Sequence, residues 1–304
     1  MRILKSNTLK FIFKLLVSIT LLFLIFRFIG VNKVYNELLN ANIYYMAAAL
    51  FLAIFPIFFK AIRWRSIIQI FNKTITIKSS INYTLISIAF SIVTPGRLGE
   101  FIKAKYLVDS SNMRYIKSIV TVVIDKIFDI MTIVLLGLIG LSFLKEIEAF
   151  SSFFIYASVF YILVIILILI YFDKVLKLIS YILSKKYKNS FEKFTLNRTF
   201  YIKGLLFSLL IWITLSTEAF FILKALNFLS PSFYVVISIV PLMALSSMLP
   251  ISIGGMGVRE LISIYFLSVI GIQAEKSVIF SLIYTLVSAG IPAIMGAILY
   301  IKGK

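Results

Sequence analysis

Thr94-Pro-Gly-Arg-Leu-Gly-Glu100 interrupts a chain that is otherwise apolar on both sides. Leu85–Val93 (LISIAFSIV) precedes it, and Val120–Leu141 follows. Proline removes a backbone donor and clashes with the turn before it, so the helix entering this stretch has to stop. The segment from 80 to 94 would be a helix only about 22 Å long, short of the ~30 Å hydrocarbon thickness of a bilayer. A second stretch repeats the pattern. Residues 233–249 would reach about 25 Å before Pro250 and Ser252-Ile-Gly-Gly-Met-Gly-Val-Arg-Glu260 stop them. Short hydrophobic segments broken by Gly and Pro are the sequence mark of re-entrant or discontinuous membrane helices. The chain is therefore expected to carry two re-entrant helical hairpins, over 80–108 and 233–271.

The rest of the chain fits that reading. Of its 304 residues, 61% are hydrophobic, with 29 Phe and 16 Tyr. The mean hydropathy of +1.06 lies far above that of a water-soluble domain. Apolar runs at about 11–30, 42–62, 118–141, 152–172, 204–226 and 276–301 each suffice for one crossing. The fold expected is an all-α polytopic membrane protein, a single domain over 1–304 with six full transmembrane helices and the two hairpins. The basic start of the chain resembles a signal peptide. It lacks a small-residue cleavage site, so an uncleaved first helix is expected.

The formal charge of +19 is explained by topology. If both hairpins turn back, loops 60–78, 103–117 and 173–203 and both termini lie on one side with most of the Lys and Arg. Only Lys33, Lys145, Lys224 and Lys276 are left outside. Eight full crossings would export two of the basic loops, against the positive-inside rule. The expected location is the cell membrane, both termini cytoplasmic, with anionic inner-leaflet lipid as a partner. Amphipathic stretches 63–78 and 173–193 would lie along that leaflet, the alternative being ordinary loop content. No nucleic-acid partner is expected, and a homo-oligomer is compatible with the sequence.

Gly99 and Gly257 are 158 positions apart, close to half the chain. Each half, 1–150 and 151–304, reads as two crossings, a hairpin and one more crossing. Three crossings per half is odd, so the halves would insert upside down relative to each other, as an inverted-topology repeat. The hairpin tips would then meet near the midplane.

Lys14 and Arg27 lie near the ends of the first run and can snorkel to the interface. Arg97, Glu100, Asp125, Lys126, Asp129, Glu218, Arg259 and Glu260 need a cavity or a partner, since a charge at the bilayer centre costs on the order of 3 kcal/mol. Gly96, Gly99, Gly254, Gly255 and Gly257 permit tight turns at the tips and expose N–H groups at the start of the departing helix. With Arg97 and Arg259 beside them, these form a candidate site for phosphate or carboxylate. The bland alternative is that each arginine pairs with its neighbouring glutamate and fixes the hairpin. Asp125 and Asp129 share one helix face. They could hold Arg97 or Arg259, or take up a proton or cation. Glu218 reads as a buried partner or cavity-lining group. The chain has no Cys and no His, which excludes thiol and imidazole chemistry. No catalytic residue, metal site, cofactor site or P-loop is apparent.

Thr94–Leu107 (TPGRLGEFIKAKYL), Val122–Ile133 (VVIDKIFDIMTI) and Ser252–Ile262 (SIGGMGVRELI) resemble, in order, the signature blocks of the lysylphosphatidylglycerol synthase transmembrane region. Asp125-Lys126 stands where that family usually has Glu-Arg. The resemblance implies a flippase, moving an aminoacyl-phospholipid or polyprenyl-linked glycolipid between leaflets. It places Arg97, Glu100, Asp125, Asp129, Arg259 and Glu260 near a central cavity. The soluble aminoacyl-transferring domain of bifunctional relatives has no counterpart in these residues, so synthase activity is not expected. Other readings are a transporter of a small anion, a non-transporting partner of a lipid-modifying enzyme, and, last, an enzyme acting on lipid.

Overall fold

Asn42 opens the first long helix: its side-chain oxygen accepts the N–H groups of Tyr44 at 3.0 Å and Tyr45 at 3.5 Å. The structure, a computed structural model, describes residues 31–142, 198–228, 232–248 and 252–303, with Arg27 and scattered positions between 156 and 174. The expected crossings 11–30 and 152–172, the stretch 173–193 and Lys14 lie wholly or mostly outside these residues. The described elements are α1 (Val31–Leu39), α2 (Ile43–Leu52), α3 (Ile54–Gln69), α4 (Ile77–Val93), α5 (Ile102–Ser111), α6 (Tyr115–Ser142), α7 (Arg198–Ala225), α8 (Phe233–Met248), α9 (Val258–Val269), α10 (Ala274–Thr285) and α11 (Ile291–Ile301).

Among the described residues, three continuous helices are long and apolar enough to cross a membrane: Ile43–Gln69, Thr199–Ala225 and Ala274–Ile301, of 27, 27 and 28 residues. The first joins α2 to α3. The last joins α10 to α11 through a π-helical turn, Leu286–Gly290. Helix α6 also has 28 residues but carries Lys117, Asp125, Lys126 and Asp129.

The two interrupted segments are helix–break–helix pairs. In the first, α4 ends at Val93, a 3₁₀ turn spans Leu98–Phe101, and α5 departs. Thr94 stitches the break: its hydroxyl donates to the Phe90 carbonyl at 2.8 Å and accepts the Gly99 N–H at 2.7 Å. Gly96 and Arg97 are left-handed, at φ 63° and 56°. Gly99 is not. It is needed for closeness, because a Cβ there would land on the Phe90 carbonyl. In the second pair, Gly254, Gly255 and Gly257 have φ of 60°, 78° and 83° between α8 and α9. The breaks touch each other. Pro95 and Ile253 form an isolated antiparallel bridge, and the Gly254 backbone lies against the Ile92 carbonyl.

Packing between the halves is reciprocal. Helices α3 and α7, which precede the two broken pairs, pack together. Helix α4 packs on α11, and α8 packs on α6. Both of the latter contacts depend on a missing side chain: Gly296 of α11 lies on the Leu85–Ile86 backbone of α4, and Gly140 of α6 on Ser238 of α8. Small residues let membrane helices approach closely. Gly140→Val and Gly296→Val are each expected to cost at least about 1–3 kcal/mol by overpacking. Thermal denaturation of the purified variants, read as loss of monodisperse protein, checks this; unchanged melting would contradict it.

The ends of the helices sort into two groups. At one end, the Asn42 N–H donates to the Ala225 carbonyl at 2.7 Å, Asn227 Nδ2 donates to the Asn40 carbonyl at 3.0 Å, and Lys276 lies 5.4 Å from the centre of the Phe228 ring. Elsewhere, Trp64, Ile68, Ile75, Leu107 and Met113 form one buried cluster. That cluster corrects the reading of 63–78 as an amphipathic stretch lying along the inner leaflet. Residues up to Gln69 continue α3, and Arg65 Nε donates to the Ile75 carbonyl at 2.9 Å, folding the following turn back onto it. The mixed Lys/Ile pattern looks amphipathic only when the partners of Arg63 and Arg65 are ignored.

Candidate functional site

Arg63, counted from sequence as a loop charge, is fully buried and organises the largest polar network among the described residues. Its Nε donates to Asp125 Oδ1 at 2.8 Å, and its Nη1 donates to Asp129 Oδ1 at 2.7 Å and to the Ser208 hydroxyl at 2.5 Å. Lys103, also buried, donates to Asp125 Oδ2 at 2.5 Å and stacks over the Trp64 ring at 4.9 Å. Asp125 and Asp129 sit one turn apart on α6 and so present both carboxylates to α3. The network ties α3, α5, α6 and α7 together.

The tips do not adopt the alternative arrangement in which each arginine pairs with its neighbouring glutamate. Glu100, three residues after Arg97, pairs with Lys126 Nζ at 2.6 Å. Glu260, three residues after Gly257, accepts the Gly257 N–H at 2.6 Å and the Ser281 hydroxyl at 3.2 Å. Each glutamate thus stands at the start of its departing helix, where a negative charge is favoured. Neither takes an arginine. Asp125 and Asp129 hold Arg63 and make no ion pair with Arg97 or Arg259.

Arg97 and Arg259, left without carboxylate partners, line one cavity of about 40 Å³ between the two breaks. Lys60 of α3 lines it as well, with Trp212, Tyr284 and Ser288. Arg259 Nε is buried without a hydrogen bond. Among the described residues none of the three cations forms an ion pair. Three positive groups therefore face one small space, Arg259 buried and Lys60 and Arg97 half-buried, while Glu100, Asp125, Asp129 and Glu260 are bonded to other groups. Arg97 holds its guanidinium there from a left-handed backbone, which a non-glycine residue rarely adopts. The π-helical turn supplies Ser288 and Ala289 to the wall, as such turns often do at functional sites. Gly96, Gly99, Gly255 and Gly257 shape the two breaks: Gly96, Gly255 and Gly257 through left-handed backbones, and Gly99 through its approach to the Phe90 carbonyl.

Glu218 of α7 is completely buried, and neither carboxylate oxygen has a hydrogen-bond partner.

Beside the cavity, across α3 and the π-helical turn, lies a larger groove of about 220 Å³. Its lining is apolar throughout and includes Ile54, Ile57, Leu85, Val287, Ile291 and Met295. Ile57 is one turn from Lys60, and Val287 adjoins Ser288, so the groove and the cavity stand back to back.

Sequence reading found both arginines but missed Lys60 and Arg63, because hydropathy ends a membrane run at its first charges. The signal that could have found Lys60 is spacing. Lys60 and Glu218 are 158 positions apart, the same offset as the Gly99–Gly257 pair. A charge repeated at that interval is not a loop residue.

Residues 11–296 match the family described as the lysylphosphatidylglycerol synthase TM region. The chain is also similar to the UPF0104 membrane protein PH1989 of Pyrococcus horikoshii, 22% identical over 95% of this chain and 96% of that protein. The chain belongs to the lysylphosphatidylglycerol synthase transmembrane family and is a membrane protein.

Proposed function

From that membership, we propose that the protein is a lipid translocase, moving a phosphate-bearing lipid between leaflets through the cavity between the two helix breaks. One observation carries the reading: Lys60, Arg97 and Arg259 converge on one small space, and among the described residues none of them forms an ion pair with a carboxylate. Uncompensated charge in a low-dielectric interior is costly, so such a site calls for an anion. Guanidinium groups fit phosphate through paired donors, and lysine adds a point charge. The apolar groove back to back with the cavity supports a ligand with hydrocarbon tails, of the aminoacyl-phospholipid or polyprenyl-phosphate class. Gly96, Gly99, Gly255 and Gly257 would admit the headgroup to the backbone.

The reciprocal packing of the helices supports an inverted repeat of 1–150 and 151–304, six crossings and two re-entrant hairpins, 80–108 entering from the cytoplasm and 233–271 from outside. The paired glycine contacts and the common offset support the same plan. Residues 40–42, 225–228 and 276 share one end in the structure. They are the loops that the charge distribution assigns to the outside of the cell membrane. Rocking of one repeat against the other would then expose the cavity to each leaflet in turn. Because the chain has no native cysteine, single cysteines report topology cleanly. Ser110→Cys is expected to react with a membrane-impermeant maleimide only from the cytoplasm and Gln273→Cys only from outside. Labelling of both from one side would contradict the inverted arrangement.

The small volume of the cavity favours a second reading, a transporter of a soluble inorganic anion. Proteoliposomes separate the two. Lipid movement is followed as dithionite quenching of fluorescent phosphatidylglycerol, and anion movement as uptake of radiolabelled phosphate. The translocase reading expects accelerated lipid exchange and no phosphate uptake. Phosphate uptake with static lipid would replace it with the second reading.

A further inference from the structure

The cavity between the two breaks has a one-sided lining. Lys60 reaches its wall from α3, Arg97 from the first break and Arg259 from α9, and among the described residues no carboxylate lines it. Arg259 is 8% exposed, and its Nε has no hydrogen-bond partner. Buried donors are almost always satisfied, so one left open at a cavity wall marks the place of a ligand. The acidic groups around the site are engaged elsewhere: Glu100 with Lys126, Asp125 and Asp129 with Arg63, and Glu260 with the Gly257 N–H. Glu218 is buried off the cavity wall. The space is also small, about 40 Å³. A single water needs about 10–15 Å³ of such room, so the cavity holds roughly three waters, the bulk of one phosphoryl group.

We propose that the cavity selects a terminal phosphate, the monoester or diphosphate end of a lipid, over a phosphodiester or an amine-bearing headgroup. The inference rests on the cavity being the anion site of a lipid translocase, and it narrows the cargo. Three converging cations call for three acceptors. A terminal phosphate has three oxygens not bonded to carbon, one for each cation. A phosphodiester has two, and its second ester carbon takes the place of the third. Charge points the same way: a phosphate monoester carries about −1.5 to −2 at pH 7, whereas a diester carries a single negative charge. The two guanidinium groups match phosphate oxygens through their planar forks, and Lys60 adds a point charge. A headgroup ending in an ammonium meets three like charges and no carboxylate on the wall. An aminoacyl or sugar group attached to the phosphate also exceeds the space. Polyprenyl phosphates and phosphatidic acid share the terminal phosphate that the lining fits; aminoacyl-phospholipids lack it.

The test uses the purified full chain in detergent and titration calorimetry with four probes. Dihexanoylphosphatidic acid and dihexanoylphosphatidylmethanol differ only by a methyl ester on the phosphate. Lysyl-dihexanoylphosphatidylglycerol adds the amine, and inorganic phosphate removes the tails. Phosphatidic acid is expected to bind at least about tenfold tighter than its methyl ester, the effect of one further charge-assisted hydrogen bond. The lysyl lipid is expected to bind more weakly than either, and inorganic phosphate more weakly than phosphatidic acid. Arg259→Met, which leaves two cations, is expected to bind phosphatidic acid and the methyl ester about equally. Equal binding of the two by the unaltered protein overturns the inference and leaves the anion site standing. So does tighter binding of the lysyl lipid, or a preference that persists undiminished in Arg259→Met. Inorganic phosphate binding as tightly as phosphatidic acid overturns the lipid cargo and with it the translocase reading. Absence of binding by all four probes overturns the anion site and this inference together. The ranking by the unaltered protein decides the matter even if the variant fails to fold.

Discussion

Arg63→Leu is expected to prevent the protein from accumulating in folded form. The substitution leaves Asp129 with no partner and Asp125 with Lys103 alone, all within the helix core. Breaking a buried ion pair by removing one member costs roughly 3–5 kcal/mol, because the survivor stays charged and desolvated. That is a large part of the 5–15 kcal/mol by which a typical protein is stable. The side chains left behind also predict the remedy. Adding Asp129→Asn removes the orphaned charge and leaves the Asp125–Lys103 pair intact, so Arg63→Leu/Asp129→Asn is expected to recover most of the lost melting temperature. Removing Arg63 without consequence would show that the network is ornamental. Failure of the double variant to recover would show that Arg63 acts through packing.

Arg259→Met is expected to behave in the opposite way. Arg259 has no carboxylate partner and shares its cavity with Arg97 and Lys60, so its removal relieves repulsion among like charges. Melting temperature should hold or rise, the usual sign of a residue kept for function at the expense of stability. Lipid movement should fall by about 10- to 100-fold, the value of one charge-assisted bond of about 1.5–3 kcal/mol. Arg97→Met should follow the same pattern. It carries the added effect of a left-handed backbone that no longer aims a guanidinium. A fall in stability that parallels the fall in transport would place these arginines in the scaffold instead.

The contrast between Arg63 and Arg259 shows how far the sequence could be read. Pro95, Gly96 and the glycines of 254–257 break their helices for local reasons, and local reasons are legible. The apolar runs that became Ile43–Gln69 and Ala274–Ile301 were equally plain. The pairing of charges was not. Arg63 finds Asp125 and Asp129 across 62 and 66 residues of chain, and nothing near Arg63 announces them. From sequence, pairing of each tip arginine with its adjacent glutamate was the alternative to an anion site, yet Glu100 lies with Lys126 and Glu260 caps the turn at Gly257. Adjacency in the chain is a poor guide where a three-residue step at a helix start turns a side chain back onto the backbone. Gly99 was read as permitting a tight turn and is a point of close approach, which depends on where Phe90 sits. The 158-residue interval was visible in the sequence between Gly99 and Gly257. Its use on Lys60 and Glu218 needed the fold to show that both positions face the same interior.

Native mass spectrometry of the purified protein tests the central claim most directly, by identifying what travels with it. The unaltered protein is expected to carry a phosphate-bearing lipid that the triple variant Lys60→Met/Arg97→Met/Arg259→Met, folded to the same extent, has lost. An equal lipid complement on both proteins, or only uncharged lipid on the unaltered one, would contradict an anion site between the two breaks.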